Sequence, residues 1–212
     1  MQNQKTIIWD WNGTLLNDIR ICIDAINQLL TKRKKAGIDI YTYRNIFTFP
    51  VRDYYLRAGF DFDEEPFEKP AMEFINVYEQ LVSTASLHDD AIETLDHFKR
   101  EGFRQMILSA MHKEFLLRLV RNHSIEHYFS EISGIDDHYA EGKIEIGKKL
   151  LNGINGNTSQ VIMVGDTIHD HEVAAALGID VILVANGHQS EERLKSAGCP
   201  VVDRLEHLKE IL

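Results

Sequence analysis

From residue 89 onward the chain alternates between two textures, and no other feature restricts its fold so strongly. Ile92, Leu95 and Phe98 recur at helical spacing up to Gly102, and the strand-like run Phe103 to Leu108 follows. Phe115, Leu116, Leu119 and Val120 repeat the helical spacing before a second run, Phe129 to Ile135. A helix over Ile144 to Leu151 leads to Val161-Ile162-Met163-Val164; Val173 and Leu177 lead, past Gly178, to Val181 to Val184. A last short strand at Val201-Val202 precedes a terminal helix. Short apolar runs bounded by turn residues read as buried strands, and strands alternating with helices build a parallel sheet covered on both faces. The expected class is α/β with a doubly wound parallel sheet, and Ile7-Ile8-Trp9 near the start supplies one more strand for it.

Between that first strand and residue 86 the texture is helical throughout, with no strand expected over 16–85. Ile19, Cys22, Ile23, Ile26, Leu29 and Leu30 form one apolar stripe, with Asn17 or Asp18 as the N-cap and Gly37 as the stop. Pro50 is expected to open a short helix in its first turn, and Phe67, Phe74, Ile75, Tyr78, Leu81 and Val82 mark a longer one. Residues 16–85 therefore read as an inserted helical domain, with 1–15 and 86–212 forming the α/β core. Tyr41, Tyr43, Phe47 and Phe49 are expected to pack in the insertion's own core.

A formal charge of −10 argues against nucleic acid or an anionic membrane as partner, and no apolar stretch reaches membrane-spanning length. The basic run Lys32 to Lys35 suits the negative end of a helix dipole. The polar start, Met1 to Lys5, has no leader character, so a cytoplasmic location is expected. Cys22 and Cys199 stand far apart in no metal-type spacing and read as reduced, packed thiols.

In a parallel sheet the carboxyl ends of all strands share one rim, where ligands bind. The run Ile7 to Trp9 ends at Asp10, Phe103 to Leu108 ends at Ser109, and Val161 to Val164 ends at Gly165-Asp166. Asp170 lies one helical turn after Asp166, and Lys143 opens a helix after Glu141-Gly142. Each feature has an ordinary reading: Asp10-Trp11-Asn12-Gly13 as a turn, Ser109 as a turn hydroxyl, Lys143 as a surface lysine. Crowded carboxylates, however, call for a cation, and hard oxygen donors suit Mg2+. A Mg2+ beside a lysine would receive a phosphoryl group, with Ser109 bonding its oxygens and Asp10 placed to attack it.

Asp10-x-Asn12-Gly13-Thr14-Leu15, Ser109, Lys143 and Gly165-Asp166-Thr167-x-x-Asp170 together resemble, in order, the four motifs of the haloacid dehalogenase superfamily. The overall pattern is most similar to its phosphoglycolate phosphatase-like branch, whose helical cap is inserted after the first strand. The resemblance implies a Rossmann-like core with a cap, and Mg2+-dependent hydrolysis of a small phosphorylated metabolite through an aspartyl-phosphate. It implies Asp10 as nucleophile, and Asp10, the Asn12 carbonyl and Asp166 as metal ligands, with Asp170 supporting the metal's waters or orienting Lys143. Ser109, Ala110 and Lys143 would hold the phosphoryl oxygens, with Gly13 and Thr14 in the loop that admits them. Arg52, in the cap, could reach a second anionic group or simply be solvated.

Asn12 departs from the pattern. The superfamily's phosphatases carry a second aspartate there, as general acid and then base, and an amide cannot exchange a proton in that way. Such help is worth about 10²–10⁴-fold. A slow phosphatase favouring good leaving groups is one reading; a proton supplied by His112, His169 or His171 is another; an impaired protein that binds phosphometabolites is the third; an engineered aspartate-to-asparagine trap is the fourth. A dehalogenase needs no metal, which the Asp166 and Asp170 pair argues against. A receiver-like phospho-acceptor domain has a similar acidic rim but no cap.

Overall fold

The structure, a computed structural model, describes residues 5–135, 142–154 and 158–212. In chain order the elements are β1 (Thr6–Trp9), β2 (Leu16–Asn17), α1 (Ile19–Lys32), α2 (Ile40–Ile46), α3 (Val51–Arg57), α4 (Glu68–Leu81) and β3 (Ser86–Leu87). They continue with α5 (Ala91–Arg100), β4 (Arg104–His112), α6 (Lys113–Asn122), β5 (Glu131–Ile135), α7 (Lys143–Asn152), β6 (Val161–Gly165), α8 (Ile168–Leu177), β7 (Asp180–Val184), α9 (Glu191–Lys195) and β8 (Val201–Val202).

Six strands form one sheet in the order β5-β4-β1-β6-β7-β8, every pair parallel. β1 is central and fully buried, and its alternation divides the core in two. Ile7 and Trp9 face one layer with Leu95, Phe98, Leu116 and Leu205; Ile8 faces the other with Ile146, Leu150, Val173 and Leu177. The buried Trp9 indole donates to Gln105 Oε1 at 3.0 Å, and Gln105 donates in turn to the Leu95 carbonyl at 3.0 Å, so this polar insertion is satisfied. The doubly wound parallel sheet and its helical cap are as expected.

The helical insertion has its own apolar cluster, in which Ile23, Ile26 and Leu29 of α1 pack on Tyr43, Tyr54, Tyr55 and Phe60. Arg33 ties its far side together, pairing with Glu65 and, at 3.0 Å, with Glu73. Of the expected aromatic group, Tyr43 is buried and stacks on Phe47, Phe49 packs edge-on against Phe47 and also stacks on His169 of α8, and Tyr41 alone is exposed.

Several expectations need correction. Residues 16–85 are not free of strand, because β2 pairs antiparallel with β3 where the chain leaves the core and returns to it. β4 does not stop at Leu108 but continues through a register shift to His112, so Ser109 and Ala110 lie within an irregular strand end. α1 ends at Lys32 with Lys34 in the left-handed region at φ 56°, so Gly37 is not its stop. Pro50 precedes α3 as its N-cap rather than sitting in its first turn. The C-terminal helix is a 3₁₀ turn, Leu205–Glu210. Among the described residues no helix is long and apolar enough to cross a membrane.

Candidate active site

Trp9 pairs with Ile107 of β4 on one side and Val164 of β6 on the other. The next residue, Asp10, is still anchored, since its N–H donates to the Val164 carbonyl at 2.8 Å. Ser109 and Asp166 each lie two residues past those partners. The shared rim thus presents Asp10, Ser109 and Asp166 side by side, and all three are buried. α7 brings Lys143 in as its first residue; Glu141 of the expected turn lies outside the described residues.

Lys143 Nζ donates to Asp10 Oδ1 and, at 2.6 Å, to Asp170 Oδ1. The other Asp170 oxygen accepts from Thr167 N at 3.0 Å and Thr167 Oγ1 at 2.8 Å, which caps α8 and fixes the carboxylate. Asp170 thus contacts Lys143 directly. Burial opposes the Lys143 charge, but the Asp10 and Asp170 carboxylates outweigh it and hold its pKa above the ordinary lysine value. Asp166 accepts from Thr14 Oγ1 at 2.8 Å and from the His188 N–H at 2.6 Å. Thr14 also reaches Asp10 Oδ2 at 3.4 Å, so its hydroxyl bridges two carboxylates.

Close approach is built into the backbone here. A Cβ on Gly13, which sits at φ 74°, would lie 2.4 Å from Asp166 Oδ2, and one on Gly187 would lie 2.1 Å from the same atom. No side chain fits at either position without displacing Asp166.

The donor set fits a hard cation. Oxygens of Asp10, Asp166 and Asp170 lie within 4.8 Å of one another, all buried. Burial drives the Asp10 pKa up to about 7 against the pull of Lys143, with Asp170 and Asp166 raising it further. Burial likewise raises Asp166 to about 6, partly opposed by His188. Carboxylates held in this way are short of positive charge, and all-oxygen ligation is what Mg2+ prefers.

A pH dependence follows. A carboxyl whose folded pKa is raised stabilises the fold below its unfolded pKa near 4, and that stability is lost as pH rises through the folded value. For Asp10 and Asp166 the loss falls between about pH 4 and 7. The metal-free protein should melt lower at pH 8 than at pH 5.5. Saturating Mg2+ should raise Tm by several degrees at pH 8 and much less at pH 5.5. Equal Mg2+ shifts at both pH values would show that these carboxylates do not hold the ion.

The remaining expected residues are scattered. Ser109 Oγ accepts from Met111 N at 3.1 Å, leaving its proton to donate. Ala110 is exposed beside it. Arg52 is not brought to the rim: it is exposed, its guanidinium 4.8 Å from the centre of the Phe62 ring within the cap. His169 faces Glu172 at 3.2 Å, His171 is half-buried, and His112 closes β4 opposite Ile135.

The Asn12 amide is engaged by Asp18 and Tyr78. Its Nδ2 donates to Asp18 Oδ2 at 2.8 Å and to Tyr78 OH at 2.7 Å, and Tyr78 itself donates to Asp18 at 2.7 Å. Asp18 does not cap α1 with its side chain; its other oxygen receives the Gly13 N–H at 3.0 Å and lies 3.3 Å from His188 Nε2. Burial favours a neutral His188, but Asp18, then Asp166 and Asp10, raise its pKa to about 9. Asp18, Tyr78 and His188 were not foreseen as site residues. His188 follows the end of β7, so the strand-end rule that points to Asp166 also points to it.

The cap lies closed over this rim. Arg44 of α2 donates to the carbonyls of Asn186 and Gly187 at 2.9 and 3.0 Å, and Tyr43 OH bonds His188 Nδ1 at 2.9 Å. Gln189 and Arg193 donate back to the Phe47 carbonyl.

A family described as haloacid dehalogenase-like hydrolase matches residues 7–184. A phosphoglycolate phosphatase of Aliivibrio fischeri is 28% identical over 129 residues, covering 59% of this chain but only 56%, about half, of the relative's own length. A phosphoglycolate phosphatase of Colwellia psychrerythraea is 25% identical over 211 residues, covering 93% of this chain and 92% of the relative. Among solved structures, a haloacid dehalogenase-like family hydrolase from Streptococcus pneumoniae superposes with a TM-score of 0.85 at 19% identity, covering 100% of this chain and 99% of that one.

Proposed function

The chain belongs to the haloacid dehalogenase-like hydrolase family, and from that premise we propose that it is a Mg2+-dependent phosphatase of a small phosphorylated metabolite, working through an aspartyl-phosphate on Asp10. The observation that carries the proposal is the buried Asp10–Lys143–Asp170 chain beside Asp166, at the end of the central strand. An Asp10 oxygen attacks phosphorus, the bond from phosphorus to the leaving oxygen breaks, and that oxygen departs as an anion that takes its proton from solvent. Water then attacks the same phosphorus, releasing inorganic phosphate and restoring the carboxylate.

Lys143 pulls the Asp10 pKa down against the burial that raises it, which favours the ionised nucleophile, and offers positive charge to the incoming phosphoryl oxygens. Ser109 donates its free hydroxyl proton to one of those oxygens. Thr14, the His188 N–H and the close backbone at Gly13 and Gly187 fix Asp166. Mg2+, held by Asp10 and Asp166 with the Asn12 carbonyl, would supply the Lewis acidity that offsets the phosphoryl charge. The closed cap excludes water, so that these charges act in a poorly screening interior.

Asn12 has no proton to give, so substrates whose leaving group needs none should be favoured. Acetyl phosphate and p-nitrophenyl phosphate are the first to test, and the named activity of the relatives adds phosphoglycolate. We expect turnover with Mg2+ and loss of it with a chelator. Metal-independent turnover would sink the mechanism. A phosphometabolite-binding role has one observation in its favour, the Asn12 amide committed to Asp18 and Tyr78. It predicts that phosphate esters raise Tm in the presence of Mg2+ while none of the three is turned over.

A further inference from the structure

We propose that Asp18, Cys22 and His188 form a second metal site, selective for Zn2+, at the seam between cap and core. Asp18 and Cys22 are one helical turn apart at the start of α1, and His188 comes from the core segment after β7; all three are buried. Zn2+ bonds of about 2.0–2.1 Å to oxygen and nitrogen and about 2.3 Å to sulfur give a tetrahedron with edges of about 3.3 Å between O and N and about 3.6 Å between O and S. His188 Nε2 lies 3.3 Å from Asp18 Oδ1 and Cys22 Sγ lies 3.7 Å from the other oxygen, Oδ2, so the carboxylate must turn to present one oxygen to the ion that both would share. The three donors lie within 4.8 Å of one another, so small side-chain adjustments bring them onto one ion.

Each ligand already has an outer partner of the kind that orients metal ligands. Tyr43 OH holds His188 Nδ1 at 2.9 Å, which leaves Nε2 facing Asp18. Asn12, Tyr78 and the Gly13 N–H hold the Asp18 carboxylate.

Ligand chemistry separates this site from the acidic one. Thiolate and imidazole select Zn2+ over Mg2+, whereas Asp10, Asp166 and Asp170 offer oxygen alone. An ion here joins α1 of the cap to the core segment that α2 already grips through Arg44 and Tyr43. It would fasten the cap shut.

The test is Co2+ and Zn2+ titration of the whole chain in saturating Mg2+. We expect one Co2+ per chain with a thiolate-to-cobalt charge-transfer band, bleached by one equivalent of Zn2+, retained in Cys199→Ser and lost in Cys22→Ser. X-ray absorption of the Zn2+-loaded native chain should show one sulfur at about 2.3 Å, which needs no variant to fold. No charge-transfer band, a band that survives Cys22→Ser, or Zn2+ taken up only by displacing Mg2+ would each overturn the proposal. These readouts do not depend on phosphatase activity.

Discussion

Asp10→Asn should abolish turnover of acetyl phosphate and p-nitrophenyl phosphate, by about 10⁴-fold or more, in a protein that is still folded. A residue that forms the covalent bond has no substitute within reach, so its loss removes the path rather than slowing it. Lys143 remains paired with Asp170 at 2.6 Å, so no buried ammonium is orphaned. The substitution also removes the carboxyl that burial pushes up to about 7. The metal-free variant should therefore melt above the parent at pH 8 and near it at pH 5.5, and its Mg2+-dependent rise in Tm should shrink. Kinetics and thermal melts at the two pH values test all of this together. Activity within tenfold of the parent would remove Asp10 as nucleophile. A variant that melts far below the parent at both pH values would make Asp10 a structural residue.

The parts of this site that were legible in the sequence are those set by the sheet. Asp10, Ser109 and Asp166 are found together because each follows an apolar run, and parallel strands must end on one rim. Lys143 and Asp170 follow the same logic as residues that open helices next to that rim. What the sequence hid depends on how the cap docks. Asp18 reads as a helix cap because Asp before an apolar stripe usually is one. Its actual donors, Asn12, Tyr78 and His188, come from three separate stretches of chain. Arg52 fails for the converse reason. An arginine near a loop proline has no local mark of direction, and the Phe62 face a few residues on is where it lies. The cap–core hydrogen bonds of Tyr43, Arg44, Gln189 and Arg193 likewise join segments with no local relation.

Asn12→Asp should raise turnover of an alkyl phosphate such as phosphoglycolate by roughly 10²–10⁴-fold and leave acetyl phosphate nearly unchanged. The environment decides what a carboxyl would do here. The amide now donates to Asp18 Oδ2 at 2.8 Å, and two ionised carboxylates cannot sit at that distance. Despite burial, His188, Tyr78 and Asn12 hold the Asp18 pKa below its ordinary value, so the proton would lodge on residue 12. A carboxylic acid there keeps the bond to Asp18 as an O–H donor, and it has the proton an alkoxide leaving group needs. The same proton costs stability once pH exceeds its raised pKa, so the variant should melt further below the parent at pH 8.5 than at pH 6. Steady-state rates on the two substrates separate the possibilities. An equal gain on both would mean that the substitution acts on binding or cap closure. No gain on either would mean that a group other than residue 12 already delivers the proton. Asn12 would then be the donor that keeps Asp18 in place against Gly13, and the amide would be part of the frame that positions Asp166.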